Sequence, residues 1–486
     1  MELSQETIDK YEAVIGLEVH AQLLTNTKAF SAERNEYGNL PNTNTGPISL
    51  GHPGTLPVLN EKSIEYAVRL GVACGCEIRE ENQFARKNYF YADLPKGYQI
   101  TQDTTPICTG GAITIKVNDQ EKHVGLTRIH MEEDSGKSIH DLSPFETMID
   151  LNRAGVPLLE IVSEPDMRSA DEAYAYLTEV RKLVRYLEIC DGNMEEGSLR
   201  CDANVSVRLK GAEAFGTRVE IKNLNSIRNV RRAIEFEILR HIDMVERGEE
   251  IRKATLTFNA ATGETAIMRT KEEADDYRYF PEPDLQPYFV TQAYIDNVRG
   301  SLPPLPNQLF AKYKNELGLS DYDAGVLTEE KHFALYFEAL LQYVKDTKSA
   351  ANWMMGEVKS YLNEMAMDIQ DFPLTPTRLA EVINMVSDGQ MGRTLAAQQL
   401  FPLMLQHKNS SAQELAEAHD LVQVNDSSEL EGWIQEALNQ FPDKVEEYRG
   451  GKKGILGLFM GEVMRKSKGK ADPQKTNELI RKALEG

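Results

Sequence analysis

The residues of this chain that are best suited to chemistry lie in segments where apolar and charged side chains alternate. In residues 13–22 the odd-numbered positions are apolar, and the even-numbered ones include Glu18, His20 and Gln22. Successive side chains of a β-strand point to opposite faces, so Glu18 and His20 are predicted to lie side by side. Carboxylate and imidazole groups are ligands for divalent cations. We therefore interpret this strand as part of a metal site.

Two later segments, residues 199–209 and 218–222, repeat the alternation and predict a hairpin. Their inward positions are apolar, and a short loop containing Gly211 and Gly216 joins them. The outward side chains are Arg200, Asp202, Asn204, Ser206 and Arg208 in the first segment, and Arg218, Glu220 and Lys222 in the second. Cross-strand pairing would bring Asp202, Asn204, Glu220 and Lys222 together. A fourth segment runs into the acidic residues Glu132, Glu133 and Asp134.

Several polar strand faces in one chain favour a nucleotide-dependent reaction. For a single strand, a face in contact with water is the better interpretation, because antiparallel sheets commonly have one wet face. Mg²⁺ is typically held by a few carboxylates while substrate phosphates complete its coordination. Lys137, Arg200, Arg208 and Lys222 would then neutralise phosphate oxygens during phosphoryl transfer.

Two common catalytic patterns are missing from the sequence. Gly136-Lys137-Ser138 has the ending of a P-loop, but the position that needs the first glycine is Met131. The sequence also contains no convincing Ser-His-Asp or Cys-His set and no Gly-x-Ser-x-Gly turn. It therefore predicts no nucleophile that would hydrolyse an amide.

The elements that position these residues belong to the first part of a chain of several domains. At 486 residues the chain exceeds what one core usually supports, so two or three domains are expected. Strand and helix patterns alternate up to about residue 295, and helical periodicity alone follows the proline-rich residues 302–306. One helix begins with a Ser169–Glu172 capping box, and another runs from Ser226 to Gly248 with an apolar stripe that reaches Val245. The pattern predicts the α+β class.

Composition narrows the class of protein further. Hydrophobic residues make up 41% and charged residues 27%, and no apolar run is long enough to span a bilayer. The acidic N-terminus lacks the features of a signal peptide, so a cytoplasmic location is expected. Five scattered cysteines indicate free thiols, and Cys74 and Cys76 have no second pair with which to bind zinc.

The charge distribution indicates where a polyanion would bind. The net charge of −22 argues against nonspecific binding to nucleic acid. From Arg449 to Gly486, however, ten basic residues face four acidic ones, so this tail is +6 and the remainder −28. The tail either is a solvated basic segment or contacts phosphates. The residues that would make such phosphate contacts are Lys452, Lys453, Arg465, Lys466, Lys468 and Lys470.

Five stretches of the sequence resemble the B-subunit family of the glutamyl/aspartyl-tRNA amidotransferases. They are GLEVH at 16–20, YFYADLPKGYQ at 89–99, EEDSGKS at 132–138, DLNRAGVPL at 150–158 and DYRYFPEPD at 276–284. The resemblance runs in order across almost the whole chain, so a shared generic fold does not explain it.

The resemblance implies a fold and a reaction. The expected architecture is a cradle catalytic domain with an antiparallel, glutamine-synthetase-like sheet at 1–295, a helical linker domain at 296–405 and a helical YqeY-type tRNA-binding tail at 406–486. The expected reaction uses ATP and Mg²⁺ to phosphorylate the side-chain carboxylate of Glu-tRNA(Gln), Asp-tRNA(Asn) or both. Ammonia from glutamine, hydrolysed by the A subunit, then displaces the phosphate, and a small C subunit completes the complex.

The resemblance and the strand alternation together assign roles to individual residues. The family's metal and nucleotide positions match Glu18, His20 and the run from Glu132 to Asp134, and metal binding is predicted for Glu18, His20, Glu132 and Glu133. Catalytic roles are predicted for Glu133, Lys137, Asp202, Glu220 and Lys222, and cofactor binding is predicted for Arg200, Asn204, Arg208 and Asn223. Another set combines charge with aromatic rings and either lines an ammonia channel, meets the tRNA acceptor end or packs in a core: Arg86, Lys87, Tyr89, Tyr91, Lys96 and Tyr98.

The sequence departs from its relatives in one loop, and other features disfavour three alternative classes of protein. Many relatives have clustered cysteines in the stretch corresponding to residues 30–50, where this chain has Ser31, Glu33, Thr45 and Ser49, so no zinc is predicted. A nucleic-acid-binding module is disfavoured by the metal-type ligands, and an archaeal-type relative by the absence of room for an insertion between 303 and 372. The basic tail disfavours a ligase that acts on free amino acids.

Overall fold

A computed structural model describes residues 3–140, 142–270, 277–422, 427–467 and 469–485. The chain divides into two compact units, Met1–Leu305 and Pro306–Gly486. None of the helices in the described ranges is both long enough and apolar enough to cross a membrane.

The first unit contains all of the described strands. They are β1 Tyr11–Gln22, β2 Glu77–Ile78, β3 Glu81–Asn82, β4 Ala85–Asn88, β5 Tyr98–Thr101, β6 Cys108–Thr109, β7 Ala112–Val117, β8 Gln120–Glu133, β9 Lys137–Ile139, β10 Met148–Asp150, β11 Pro157–Ser163, β12 Leu199–Leu209, β13 Val219–Leu224, β14 Ala254–Asn259, β15 Glu264–Thr270, β16 Phe280–Pro281 and β17 Tyr288–Phe289. Its helices are α1 Gln5–Ile8, α2 Glu61–Ala73, α3 Ala170–Tyr186, α4 Ile227–Glu246 and α5 Gln292–Ser301.

Thirteen strands form one large sheet, in the order β15-β14-β13-β12-β1-β11-β8-β5-β4-β16, with β6 and β7 also paired to β8 and with β2 paired to β6. The predicted α+β class is confirmed. The sheet is mixed, however, because β13 and β14 are parallel while their neighbours are antiparallel. A parallel pair needs a crossover connection, and α4 supplies it between these two strands.

Strand β1 lies at the centre of the sheet, and its burial confirms the predicted alternation. Ile15, Leu17 and Val19 are at most 1% exposed, whereas Glu18 and His20 are only half-buried. The strand is antiparallel to β12 on one side and to β11 on the other. The apolar side chains of this face form the core of the unit together with those of α2, α3 and α4. On the opposite face, charged side chains of these strands line a cavity.

Helices α3 and α4 begin as predicted and differ from the prediction in detail. Ser169 caps α3 by accepting the N–H of Glu172, but the Glu172 carboxylate accepts the N–H of Arg168 (2.8 Å) and not that of Ser169. The predicted capping box is therefore only half formed. In α4 the apolar stripe ends before Val245, which is 40% exposed, because the last turn of the helix extends past the core.

The loop from residue 23 to 60 is held by a buried lysine and by asparagine side chains. Lys28 is fully buried, and its Nζ donates to the carbonyl of Ala154 (2.6 Å). Asn60 donates to the carbonyls of Thr27 and Lys28 at 3.1 and 3.2 Å. Burial lowers the pKa of Lys28 to about 8, against the raising effect of Glu33, Glu133 and Asp150. These contacts fasten the loop to the turn that precedes β11.

The second unit is helical throughout its described residues. Its helices are α6 Pro306–Asn315, α7 Asp321–Leu327, α8 Lys331–Leu341, α9 Thr347–Trp353, α10 Lys359–Met365, α11 Pro376–Ser387, α12 Arg393–Leu395, α13 Phe401–Gln406, α14 Ala412–Ala418, α15 Ser427–Gln440, α16 Pro442–Arg449, α17 Leu456–Lys466 and α18 Pro473–Glu485. The last four share an apolar cluster that includes Leu430, Phe459 and Ile480. The division of this unit at residues 405 and 406 stays a prediction.

A pair of neighbouring glycines tests the connection between α2 and the sheet. Gly111 has φ +80°, and a Cβ there would lie 2.6 Å from the carbonyl oxygen of Cys74. Gly110 has φ +65° with no atom within 4 Å of such a Cβ. We expect Gly110→Ala to lower the free energy of unfolding by about 1 kcal/mol and Gly111→Ala by about 3 kcal/mol, because only the second adds a collision with backbone. Urea denaturation followed by circular dichroism measures both, and equal losses would contradict the packing.

The buried ammonium of Lys28 predicts a pH dependence of stability. Its pKa is about 8 in the folded chain and about 10.4 in an unfolded one, so between these values the unfolded chain binds more protons and stability rises with pH. Lys28→Met removes this contribution. From pH 7.5 to 10, the stability of the wild type should therefore rise by about 2 kcal/mol relative to the variant. Lys62→Met is the control for loss of an exposed lysine, and identical pH profiles for the two variants would refute the assignment.

Candidate functional site

A cavity of about 1310 Å³ opens on the polar face of the large sheet. Side chains of β1, β8, β11, β12 and β13 contribute to its lining: His20, Glu132, Glu160, Arg200, Asp202 and Lys222. The strand register explains why they meet, because His20 lies opposite Arg200 of β12 and opposite Glu160 of β11. Glu160 in turn lies opposite His130 of β8. A row of charged groups therefore crosses four neighbouring strands.

One group of side chains in the cavity has the composition of a divalent-cation site. One ligand atom each of His20, Glu132 and Glu160 lies within 4.8 Å of the others. The Nδ1 of His20 is 3.2 Å from Oε1 of Glu132. Two carboxylates and one imidazole suit Mg²⁺ or Mn²⁺ better than a soft metal. We call His20, Glu132 and Glu160 the primary cation group.

His130 lies behind this group and fixes its carboxylates. Its Nε2 is 3.2 Å from Oε2 of Glu160 and 3.8 Å from Oε2 of Glu132. Its Nδ1 is buried without a hydrogen-bond partner among the described residues. The ring is 3% exposed and therefore belongs to the interior of the sheet. Because it contacts both acids, His130 sets their separation.

Histidine and carboxylate pKa values in this group shift in opposite directions. Burial lowers the pKa of His130, but the charges and hydrogen bonds of Glu160 and Glu132 raise it to about 9. Burial raises the pKa of Glu160, and His130 outweighs this effect and lowers it to about 2. The pKa of Glu132 also falls well below its usual range, because its hydrogen bonds to His130 and His20 outweigh burial. The two carboxylates are therefore ionised at neutral pH, as cation ligands must be.

A second acidic group lies next to the first and contains an internal cation. Ligand atoms of Glu18, Asp202 and Glu220 lie within 4.8 Å of one another. The ammonium of Lys222 bonds to Asp202 and lies 3.0 Å from Oε1 of Glu220. Burial lowers the pKa of Lys222, but Asp202 and Glu220 raise it well above its ordinary value. Lys222 thus supplies the positive charge here, which leaves the primary group as the better place for a metal ion.

A third set of contacts closes the cavity near the end of β8. Asp134 accepts a hydrogen bond from Arg200 Nη1 (2.7 Å) and another from Gln22 Nε2 (3.0 Å), and Arg153 Nε lies 3.6 Å away. Burial opposes ionisation of Asp134, but the two guanidinium groups lower its pKa. Arg200 is therefore held over the cavity beside the primary group.

Most residues predicted for the site meet in this region, and two do not. Glu18, His20, Glu132, Arg200, Asp202, Asn204, Glu220 and Lys222 lie on adjoining strands of the polar face, and Asn223 and Lys137 line the cavity. Glu133 points to the other side of β8, where its Oε1 accepts from Lys96 and from the N–H of Ile100. Arg208 lies near the end of β12 and donates to Glu12 (2.6 Å). The structure does not place these two with the cation group.

Glu160 and His130 were not identified from the sequence, although each left a signal. Glu160 is the single charged residue in the run PLLEIVS that forms β11. A lone carboxylate in an apolar strand is costly to bury unless it has a partner. His130 precedes Glu132 by two residues in β8, so the alternation already places both on one face.

The aromatic and basic residues of the 86–98 region separate into two sets. Lys87, Tyr89 and Tyr91 line the cavity, and the Lys87 ammonium lies 4.7 Å from the ring centroid of Tyr277. Arg86 instead forms two hydrogen bonds with Glu282, at 2.7 and 2.8 Å, and stacks over Tyr98. The second set therefore has a structural role.

The basic residues of the tail form ion pairs within the second unit. Lys452, Arg465 and Lys466 lie 3.1, 2.6 and 2.9 Å from Glu447, Glu462 and Glu436. Lys453 lies 3.7 Å from Glu485, and Lys470 bonds to Asp420. Lys468 lies outside the described residues. Exposed ion pairs of this kind are weak, so phosphate groups can compete for these cations.

Comparisons with known proteins agree along nearly the whole chain. A family model described as the GatB/GatE catalytic domain matches residues 13–296, and one described as the GatB domain matches residues 335–484. The B subunit of the aspartyl/glutamyl-tRNA(Asn/Gln) amidotransferase of Chlorobium limicola is 50% identical over 477 residues, which cover 98% of this chain and 100% of the relative. The B subunit of the Geobacter sulfurreducens amidotransferase is 51% identical over 479 residues, with the same coverage.

The primary cation group predicts how cation binding responds to substitution. Glu160→Gln keeps the shape of the side chain and removes one of two carboxylate charges, so we expect the affinity for Mn²⁺ to fall by about tenfold or more. Electron paramagnetic resonance of free Mn²⁺ in a titration measures this. Glu196→Gln is the matched control, because Glu196 lines the same cavity outside the group and is exposed. Equal weakening in both variants would mean that only the general acidity of the cavity attracts the ion.

Proposed function

The chain belongs to the family of aspartyl/glutamyl-tRNA(Asn/Gln) amidotransferase B subunits, and from this premise we propose that it activates the side-chain carboxylate of an amino acid mischarged on tRNA. In the proposed reaction the carboxylate of Glu-tRNA(Gln), Asp-tRNA(Asn) or both attacks the γ-phosphate of ATP and ADP leaves. Ammonia then displaces phosphate from the acyl phosphate to give the amide. The protein would thus be a cytoplasmic carbon–nitrogen ligase that uses glutamine as the amide donor.

The observation that carries this proposal is the primary cation group at the floor of a large cavity. Mg²⁺ bound by His20, Glu132 and Glu160 would offset the charge of the ATP phosphates. The donor set fits a hard cation, because both carboxylates are ionised at neutral pH and His130 holds them from behind. A volume of about 1310 Å³ exceeds that of usual small-ligand sites, which supports joint binding of a nucleotide and an aminoacyl group.

Cationic side chains beside the group would position the phosphates. Arg200 is fixed by its hydrogen bond to Asp134, and Lys222 is fixed between Asp202 and Glu220. Preorganised cations of this kind stabilise charge that develops during phosphoryl transfer without further movement. The acidic surroundings also keep Lys222 protonated, so it would act as a charge and not as a base.

The amide nitrogen requires a second protein in this proposal. The sequence shows no nucleophile set for hydrolysing glutamine, and the relatives are named as one subunit of an amidotransferase. We therefore place this chain in a complex with a glutaminase, the A subunit, and with a small C subunit. The +6 tail would bind the tRNA through exchange of its exposed ion pairs for phosphates.

Conversion of the mischarged tRNA tests the proposal directly. With the A and C subunits supplied, the wild type should convert Glu-tRNA(Gln) to Gln-tRNA(Gln), Asp-tRNA(Asn) to Asn-tRNA(Asn), or both, in the presence of ATP. We expect Glu18→Ala and His20→Ala to lower kcat by about 100-fold or more, because each removes a charged or metal-binding group from the activation site. Binding of tRNA, measured by filter retention, should stay unchanged.

Two outcomes of this experiment have different meanings. Full activity of both variants would refute the assignment of the site, while inactivity of the wild-type complex with both mischarged tRNAs would refute the function. Glu196→Gln serves as the control, because it alters the charge of the cavity without touching either acidic group.

A further inference from the structure

Two tyrosine rings at the rim of the cavity are left in water. Tyr37 is 74% exposed and Tyr91 is 61% exposed, and both line the cavity. Within the described residues Tyr37 makes no ring contact or hydrogen bond, and the ring of Tyr91 has only an edge contact with Tyr89 (5.8 Å). Large aromatic rings exposed at the mouth of a site are typical of surfaces that stack a ligand.

The β9–β10 ribbon fixes the loops that carry these two rings. On the β9 side, the carbonyl of Asp93 accepts the N–H of Gly136 (2.8 Å), and its carboxylate accepts the Ser138 hydroxyl (2.9 Å). On the β10 side, Asn42 donates to Asp150 (3.1 Å) and to the carbonyl of Ile149 (3.0 Å). Tyr91 lies two residues before Asp93, and Tyr37 lies five before Asn42. The two rings are therefore held on loops at opposite edges of one ribbon.

The same ribbon also carries a cation that lines the cavity with the two rings. Lys137 is the first residue of β9, lines the cavity and is exposed. It makes no ion pair with any other residue that the structure describes. The loop at 191–196 on another part of the lining carries Asp191, Glu195 and Glu196, all exposed. An anionic strand would be repelled from that loop and attracted to Lys137.

We propose that Tyr37, Lys137 and Tyr91, the tyrosine rim, bind the single-stranded 3′ end of the tRNA. Bases at that end would stack on the two rings, and the Lys137 ammonium would contact a phosphate between them. This inference rests on the proposed function. The amino acid is esterified to the terminal ribose, so the terminal nucleoside must lie within one side chain's length of the activation site. Stacking is available only to unpaired bases, which the acceptor end provides.

Steady-state kinetics of the complex with the A and C subunits separates this role from ATP binding. Loss of one stacked base costs about 5-fold or more in binding, so Tyr37→Ala and Tyr91→Ala should raise the KM for mischarged tRNA by at least that factor. The KM for ATP should stay unchanged. Tyr37→Phe and Tyr91→Phe keep the rings and should restore the wild-type KM. A rise in the KM for ATP instead would assign the rings to the adenine of the nucleotide and overturn the proposal.

Phe90→Ala is the matched control. Phe90 belongs to the same loop as Tyr91 and is 92% exposed, but it does not line the cavity. Its removal should leave both KM values unchanged. An equal effect of Phe90→Ala would show that loss of any exposed ring in this loop alters its conformation, which would contradict stacking.

A binding measurement tests the rim without catalysis and therefore independently of the proposed function. Filter binding compares uncharged tRNA ending in CCA with the same tRNA lacking its terminal adenosine. The wild-type complex should bind the intact end about 5-fold or more tightly, and the alanine variant that lacks the ring under the terminal adenosine should lose most of this preference, so that at least one of the two variants loses it. Lys137→Ala should weaken the binding of both tRNAs by the same factor. It should also reduce the slope of log affinity against log salt concentration. A wild type without preference, or its retention by both tyrosine variants, would overturn the proposal even if amidation is observed.

Discussion

The register of β1 between β11 and β12 is the constraint on which the rest of the site depends. Because side chains alternate along a strand, a slip of one residue would turn Glu18 and His20 into the core and expose Leu17 and Val19. The apolar face makes such a slip costly, since those residues are at most 1% exposed and belong to the same core cluster as residues of α2, α3 and α4. The hydrophobic core thus specifies the chemistry of the opposite face.

The polar face then has to balance its own charge. Carboxylates predominate on this face, and their negative charge is balanced in two ways. In the group that contains Glu18, the Lys222 ammonium pairs with Asp202 and Glu220 and neutralises part of the negative charge. Around Glu132 and Glu160 the balancing group is His130, whose raised pKa makes it a cation at neutral pH but whose position is behind the carboxylates. One side of the primary group therefore remains open to the cavity, and a divalent ion can complete the balance there.

The alternation of side chains along a strand determined which parts of the site could be predicted from the sequence. Period 2 correctly placed Glu18, His20, Asp202, Glu220 and Lys222 on one face, because each lies in a regular strand with apolar neighbours. It could not place Glu132 and Glu133 together, since adjacent residues of a strand must point apart. Arg208 shares a face with Asp202 but lies six residues along β12, about 20 Å away.

Other parts of the site could not be predicted from periodicity, because they depend on which strands pair. The pairing of β11 with both β1 and β8 joins strands far apart in sequence, and only that pairing shows Glu160 to be the centre of the charged row. Long-range pairing, and not local conformation, limited the prediction.

The distribution of charge in the chain indicates that the tail and the cavity would bind a polyanionic substrate through different kinds of interaction. The tail is +6 and the remaining residues sum to −28, so a polyanion gains its electrostatic attraction from the tail and meets repulsion elsewhere. In the proposed function, a site whose acidic groups hold a metal ion cannot also be basic enough to bind RNA mainly by charge. Recognition of the reacting end would then rest mainly on interactions that do not depend on net charge. Stacking on aromatic rings is one such interaction, and it allows affinity and chemistry to be supplied by different parts of the chain.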